Sequence, residues 1–319
     1  MKIFKSKILK LFITALIIIF LFNSLDIKFA DIFSSVKCPG WIFCSALIPL
    51  IIIPTISSNR WKLFLRYVGV QETALRLIRI NFVSMFQGII LPSSQGFDVL
   101  RIYYIEKRHP EQRGKVGSTI LIERMIGFVV LCVLSLTFSL LIDLPNKRQV
   151  VLIIGAISIA LLVAIALLLN KKLNRYLSGK KFKNKYVNKC YLYFNKFATS
   201  LAYFPYKKVL LSSVGLILLF QLSTIASVFL IFKAYGIDLP FYTHISLYPI
   251  ISILSLIPIT ISGFGIREGF FVYFYSLLGV SPEVAVSVSL MNYVVLTIVP
   301  ALFGAVIYLF DIFKKKKEA

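Results

Sequence analysis

Long apolar runs are the feature of this sequence that most constrains its fold. Six of them approach the roughly 20 residues that a helix needs to cross the ~30 Å hydrocarbon core of a bilayer. In lipid, every backbone N–H and C=O must be paired within the protein, and runs of this length can achieve that as helices. We therefore predict six full transmembrane helices, at about residues 8–25, 39–56, 118–141, 149–169, 209–232 and 284–309.

Composition indicates an all-α integral membrane protein rather than a soluble one. The 319-residue chain is 58% hydrophobic and only 15% charged, and we predict a single polytopic membrane domain over residues 1–319. Its net charge of +23 would also suit a nucleic-acid-binding protein. The basic residues, however, lie between the spans and at both ends, as in other membrane proteins. They predict contact with anionic phospholipids of the inner leaflet and no nucleic-acid partner.

Two further apolar regions, at about residues 75–100 and 243–279, are interrupted by proline and glycine. The apolar part of the first, residues 80–91, would form only about 18 Å of helix. Broken backbone is tolerated at membrane depth where protein or a watery cavity satisfies it. We predict that both regions are re-entrant helical hairpins; eight full transmembrane helices are the alternative. The first motif reads Leu91-Pro92-Ser93-Ser94-Gln95-Gly96-Phe97-Asp98-Val99-Leu100-Arg101, and the second reads Ile257-Pro258-Ile259-Thr260-Ile261-Ser262-Gly263-Phe264-Gly265-Ile266-Arg267-Glu268.

The distribution of lysine and arginine predicts the orientation in the cell membrane. Residues 170–208 are rich in lysine and arginine and contain no acidic residue, so this loop and both termini should be cytoplasmic. The hairpins would then enter from opposite sides, one in each half of the chain (about 1–141 and 149–313), as in inverted-repeat transporters. Aromatic and apolar residues at helical spacing within 180–204 predict an amphipathic helix on the inner leaflet; a solvated linker is the alternative.

Three arginines and three acidic residues lie within or against the apolar segments, where charges are expensive and often functional. Arginine suits a lipid phosphate because its planar guanidinium makes two parallel hydrogen bonds and stays charged. We predict that Arg101, Arg124 and Arg267 bind the lipid, and that Gly96, Gly263 and Gly265 allow backbone amides to approach it. The supporting or proton-carrying groups would be Asp98, Glu123 and Glu268.

The alternative for these six charged residues is a set of buried ion pairs that only fixes helix packing. Neighbours such as Glu123 and Arg124 point about 100° apart on a helix, so we expect their partners on other helices. Polar residues around the two breaks favour a cavity with a polar lining. Two more polar residues, within the predicted spans, are weaker candidates for this site. These are Ser93, Ser94, Gln95, Thr260 and Ser262, and then Gln221 and Asn292. No motif predicts a metal, a cofactor or a catalytic site.

Together these motifs resemble the lysylphosphatidylglycerol synthase transmembrane-region family, the flippase-like membrane domain of the multiple peptide resistance factor. The resemblance covers nearly the whole chain and rests on three motifs: Pro92 to Arg101, the pair Glu123-Arg124, and Gly263-Phe264-Gly265-Ile266-Arg267-Glu268. It implies a flippase-like protein that binds and translocates an anionic phospholipid or a polyprenol-linked lipid. Phe97 stands where the family commonly has a second glycine, and Asn292 stands where an arginine would be expected.

The resemblance also leaves other functions open. The chain ends shortly after its last predicted span, so we expect the membrane half alone, without the aminoacyltransferase domain and without enzymatic activity. A membrane-embedded transferase with Asp98 or Glu268 as base is one alternative. A membrane anchor for a separate synthase is another, and a homo-oligomer is compatible with each of these functions.

Overall fold

A computed structural model describes residues 29–90, 96–142, 147–170, 206–255, 260 and 263–318. The predicted span at 8–25, the predicted amphipathic helix at 180–204, and the prolines of both hairpin motifs lie outside these residues. All regular structure within the described ranges is helical, which confirms the prediction of an all-α membrane protein.

The described residues form α-helices that two π-helical turns and one short 3₁₀ turn connect or extend. The π turns, Ile48–Ile52 and Val294–Ile298, join α2 to α3 and α11 to α12 without a break, and the 3₁₀ turn is Pro110–Gln112. The helices are α1 (Phe29–Ser34), α2 (Pro39–Leu47), α3 (Ile53–Tyr67), α4 (Ala74–Ile90), α5 (Gly96–Arg108), α6 (Val116–Ser139), α7 (Lys147–Leu169), α8 (Tyr206–Ala234), α9 (Phe241–Leu254), α10 (Ile266–Ser276), α11 (Pro282–Tyr293) and α12 (Val299–Glu318).

Within the part of the chain that the structure describes, four continuous helical stretches are long and apolar enough to cross a membrane. They are Pro39–Tyr67, Val116–Ser139, Ser213–Ala234 and Pro282–Phe313. Each coincides with one of the predicted spans, and the predicted span at 149–169 coincides with a shorter apolar helix, Val151–Leu167. The insertion of the hairpins from opposite sides and the cytoplasmic position of the termini stay predictions.

The predicted span at 39–56 is too short, because the helix continues to Tyr67. The sequence turns polar at Ser57, Ser58 and Arg60, which resembles a membrane boundary. All three side chains are nevertheless buried, so the polar face of α3 points into the protein. Polarity here marks an internal site rather than the water interface.

The first interrupted region forms a pair of helices, α4 and α5, on either side of residues 91–95. The second arm runs to Arg108, beyond the predicted end of the hairpin at residue 100. The arms meet closely at Gly88, where an added Cβ would lie 3.0 Å from the Cα of Phe97. A side chain at Gly88 would therefore separate the arms next to the break.

The second interrupted region pairs α9 with α10. Gly263 has a φ of +75°, and an added Cβ would lie 2.8 Å from the carbonyl oxygen of Ser255 at the end of α9. Gly265 is the N-cap of α10, and its N–H donates to Glu268 Oε2 at 2.6 Å. The glycines of this motif thus make the return turn and the helix start.

Two apolar clusters hold these elements together. One, which includes Trp61, Phe64 and Ile105, packs α3, α4, α5 and α6 against each other. The other, which includes Phe232 and Tyr275, packs α8, α9, α10 and α11. Two cavities, described next, take lining residues from elements of both clusters.

Candidate functional site

Five charged side chains from α3, α5 and α6 form one cluster, which we call the charged cluster. Its members are Arg60, Asp98, Arg101, Glu123 and Arg124. Four of them are between 2% and 6% exposed. Arg124 differs: 40% of its side-chain surface is accessible, because it faces two internal cavities.

Asp98 holds two of the predicted arginines. Its Oδ2 accepts hydrogen bonds from Arg124 Nη2 at 2.8 Å and Arg124 Nε at 3.1 Å. Its Oδ1 accepts one from Arg101 Nη1 at 3.2 Å. Asp98 lies in the first turn of α5, where a carboxylate is favoured by the helix dipole, and Arg101 follows one turn later on the same face.

Glu123 binds an arginine that our reading of the sequence missed. Its Oε1 accepts hydrogen bonds from Arg60 Nε at 2.8 Å and from Arg60 Nη2. Arg101 Nη2 lies 3.5 Å from Glu123 Oε2, an ion pair without a hydrogen bond. The expectation that Glu123 and Arg124 find partners on other helices is confirmed. If the predicted span at 39–56 had been extended through the polar residues that follow it, it would have included Arg60.

Two nitrogen atoms of Arg101 in the charged cluster lack a hydrogen bond. Its Nε and Nη2 have no hydrogen-bond partner among the described residues, although the side chain is almost fully buried. Trp61 and Phe97 hold the guanidinium between them, with ring centroids 4.2 and 5.1 Å from Cζ. Three guanidinium groups face two carboxylates, so the cluster carries a surplus positive charge. Unpaired buried donors are costly, and an anion would satisfy them.

A cavity of about 300 Å³, which we call the first cavity, opens beside the charged cluster. Its wall contains Arg60, Arg101, Glu123 and Arg124, together with uncharged polar groups and apolar side chains. Asn81 is one of the uncharged groups; it is 4% exposed, and its Oδ1 has no partner among the described residues. Such a mainly apolar cavity with a few convergent polar groups is typical of a ligand site.

A second cavity of about 390 Å³ lies between the two helix pairs. Gly88 and Phe97 line it from the first pair, and Ser255 and Arg267 line it from the second. The two cavities share Met85, Phe97, Arg124, Tyr248, Ser252 and Leu296. Of the three predicted lipid-binding arginines, Arg101 and Arg124 are therefore in one cluster, and Arg267 lines the second cavity.

Arg267 contradicts the expectation that adjacent charged residues take partners from other helices. It binds the neighbouring Glu268, with Nη2 2.5 Å and Nε 3.1 Å from Glu268 Oε1. Glu268 turns back to cap Gly265 in the first turn of α10, which brings its carboxylate within reach of the preceding arginine. Ser289 of α11 joins this pair at 3.1 Å from Arg267 Nε.

The other predicted site residues are distributed around the same cavities. Gly96 is buried at the first position of α5. Thr260 and Asn292 are buried with a side-chain oxygen unpaired among the described residues, and Asn292 lines the second cavity. Gln221 lines the first cavity and donates to the carbonyl of Gly127 at 3.5 Å. Ser93, Ser94, Gln95 and Ser262 lie outside the described residues.

A further ionic group ties the two arms of the first helix pair together at the end away from the break. Glu72, in the loop before α4, accepts hydrogen bonds from Arg76 Nη1 at 2.9 Å and Arg108 Nε at 2.9 Å. Its Oε1 also lies 3.1 Å from His109 Nε2. Burial alone would raise the pKa of Glu72, but the hydrogen bonds from these three residues outweigh it and lower the pKa below its usual value. Among the described residues, no group of three His, Cys, Asp or Glu could hold a metal ion.

The comparisons with known proteins agree with the sequence motifs. The family model described as the lysylphosphatidylglycerol synthase TM region matches residues 7–304. A UPF0104 membrane protein of Methanocaldococcus jannaschii is 24% identical over 288 residues, which cover 85% of this chain and 86% of the relative. Two UPF0104 membrane proteins of Methanothermobacter thermautotrophicus are 23% and 22% identical, covering 80% and 92% of this chain and 80% and 90% of the relatives. No solved structure matches significantly.

Proposed function

Because the chain belongs to the lysylphosphatidylglycerol synthase transmembrane-region family, we propose that it binds an anionic lipid by its phosphate and translocates it across the cell membrane. The lipid is an anionic phospholipid or a polyprenol-linked lipid. The observation that carries the proposal is that Arg101, in the wall of the first cavity, has two nitrogen atoms, Nε and Nη2, with no hydrogen-bond acceptor among the described residues.

The charge of the cluster supports an anion with one negative charge. Asp98 and Glu123 hold the three arginines in place but neutralise only two of them. A phosphodiester would balance the remaining charge and accept hydrogen bonds from Arg101 in the bidentate geometry that guanidinium favours. Arg124 borders both cavities and can therefore contact the phosphate from either one.

Two features support movement of the lipid rather than binding alone. Each half of the chain contributes an interrupted helix pair, and such pairs line the substrate sites of inverted-repeat transporters. The second cavity lies between the two pairs, and it shares Arg124 with the first cavity. In this proposal, a phosphate moves from the first cavity to the second while it stays in contact with the guanidinium of Arg124.

Lipid translocation by the purified protein in liposomes tests this proposal. A lipid labelled on its acyl chain is quenched from outside, and the rate at which the inner label becomes accessible is measured. We expect Arg101→Gln to slow an anionic phospholipid at least about tenfold, because hydrogen bonds to charged groups are worth about 1.5–3 kcal/mol. The matched control is Arg66→Gln, an exposed arginine on α3 that lines neither cavity. Translocation by the Arg101→Gln protein at the wild-type rate would contradict the proposal.

A further inference from the structure

Two aromatic rings lie against the guanidinium of Arg101 and restrict access to it. The side chain is 2% exposed, and its Nε and Nη2 are buried without an acceptor among the described residues. The ring centroids of Trp61 and Phe97 lie 4.2 and 5.1 Å from Arg101 Cζ. An anion in the first cavity therefore reaches these two nitrogen atoms only after a neighbouring side chain moves.

Trp61 is the fixed ring of the two. It is fully buried in the apolar cluster that packs α3, α4, α5 and α6. Its Nε1 donates a hydrogen bond to Thr119 Oγ1 at 3.0 Å. Moving this ring would break a buried hydrogen bond and leave a hole in the cluster, and both changes are costly.

Phe97 is the ring that is free to move. It is half-buried and lines both cavities, and its hydrocarbon side chain makes no hydrogen bond. Its backbone is held in place by Gly88, where an added Cβ would lie 3.0 Å from the Cα of Phe97. The movement open to Phe97 is therefore a rotation of the side chain about its own χ angles.

The two cavities show where the ring of Phe97 moves. Arg101 lines the first cavity but not the second, whereas Phe97 lines both. The ring thus lies between the guanidinium and the second cavity, whose volume of about 390 Å³ gives it room. Arg124 has no such cover: 40% of its side-chain surface is accessible.

We propose that Phe97 is a gate that controls the access of anions to Arg101. This inference rests on the proposed function and concerns the regulation of the same site. The cation–π contact with Arg101 holds the ring in the closed position, and a ligand opens the gate only if its own contacts offset that contact. A lipid brings apolar atoms to the mainly apolar wall of the first cavity, and inorganic phosphate does not. Phe97 therefore selects lipid phosphates over soluble ones.

Chemical modification of arginine tests the gate without an assay of translocation. Methylglyoxal, a small dicarbonyl compound, is applied to the detergent-solubilised full chain, and mass spectrometry gives the rate of modification at each arginine. We expect Arg101 to react at least about tenfold faster in Phe97→Ala than in the wild type, because a desolvated cation–π contact is lost. Phe97→Leu, which keeps an apolar side chain without a ring, should give an intermediate rate.

The matched control variant is Phe128→Ala. Phe128 is half-buried in the wall of the first cavity and lies over no arginine of the described chain, so its removal should leave the rate at Arg101 unchanged. An unchanged rate at Arg101 in Phe97→Ala, or an equal increase in Phe128→Ala, would overturn the gate.

A second control lies within the same protein molecule. Arg60 is 5% exposed in the wall of the first cavity, under the ring of Phe220 at 4.4 Å. Its rate should not change in Phe97→Ala, and the exposed Arg66 should react fast in every variant. An equal acceleration of Arg60 and Arg101 would indicate a general loosening of the fold and would also overturn the gate.

Protection from methylglyoxal separates the gate from the proposed function. We expect inorganic phosphate to slow the modification of Arg101 in Phe97→Ala but not in the wild type, and short-chain phosphatidylglycerol to slow it in both. Protection of both proteins by inorganic phosphate to the same degree would overturn the gate. A faster reaction in Phe97→Ala without protection by phosphatidylglycerol would support the gate and refute the proposed function. Protection by phosphatidylglycerol with equal reactivity in the two proteins would do the reverse.

Discussion

The pairing of Arg60 with Glu123 predicts a stability defect that a second substitution repairs. Arg60→Met removes both hydrogen bonds to Glu123 Oε1 and leaves a carboxylate that is 4% exposed without its main partner. Removing one partner of a buried ion pair costs about 3–5 kcal/mol. Arg101 remains 3.5 Å from Glu123 Oε2 and offsets part of this loss, so we expect a cost of about 3 kcal/mol.

The double variant Arg60→Met/Glu123→Gln removes the unpaired carboxylate as well. The charged cluster of the double variant has the same surplus charge as that of the wild type. We therefore expect the double variant to regain at least about half of the stability that Arg60→Met loses. The measurement is the free energy of unfolding of Arg60→Met, Glu123→Gln and the double variant in mixed detergent micelles, with Arg66→Met as the exposed control. If the costs of the two single substitutions simply add in the double variant, the two residues are not coupled and the reasoning is wrong.

Two other predictions concern the two interrupted helix pairs, one at the turn of the second pair and one at the end of the first pair away from its break. Gly263→Ala places a Cβ 2.8 Å from the Ser255 carbonyl at a φ of +75°, so thermal unfolding should show a loss of about 1–3 kcal/mol. Gly155→Ala, where nothing lies within 4 Å, should cost nothing; equal effects would contradict the turn geometry. The lowered pKa of Glu72 means that its contribution is present at neutral pH and is lost as pH falls through the folded-state pKa. The stability difference between wild type and Glu72→Gln should therefore narrow below about pH 4, and a difference that widens there would refute this assignment.

The sequence predicted the membrane helices well because their cause is local. An apolar run of about 20 residues leaves the backbone few choices in lipid. The ends of the predicted spans at 118–141 and 284–309 therefore lie two to four residues from the ends of the observed stretches Val116–Ser139 and Pro282–Phe313. The pairing of Arg124 with Asp98 could be anticipated in kind, because a buried charge needs an opposite charge. The sequence did not indicate which acidic residue pairs with Arg124, because Asp98 and Arg124 lie on different helices.

The remaining differences come from tertiary structure. Arg60 was missed because a polar stretch at the end of an apolar run looks the same at a water interface and at an internal site. The contact of Arg267 with Glu268 depends on the cap at Gly265, which turns the carboxylate back toward its neighbour. The side-chain oxygens of Asn81 and Asn292 have no partner among the residues that the structure describes. This depends on how the helices pack around the cavities, which one sequence alone does not specify.

The proposed function depends most on Arg101, whose Nε and Nη2 have no hydrogen-bond acceptor in the described part of the chain and are proposed to bind the phosphate of a lipid. The most direct test is an experimental structure of the full chain with a short-chain anionic phospholipid bound. We expect a phosphate oxygen within about 3 Å of Arg101 Nε or Nη2, in the first cavity. Lipid phosphate found only on the outer surface, with Arg101 hydrogen-bonded to a protein group instead, would contradict the claim.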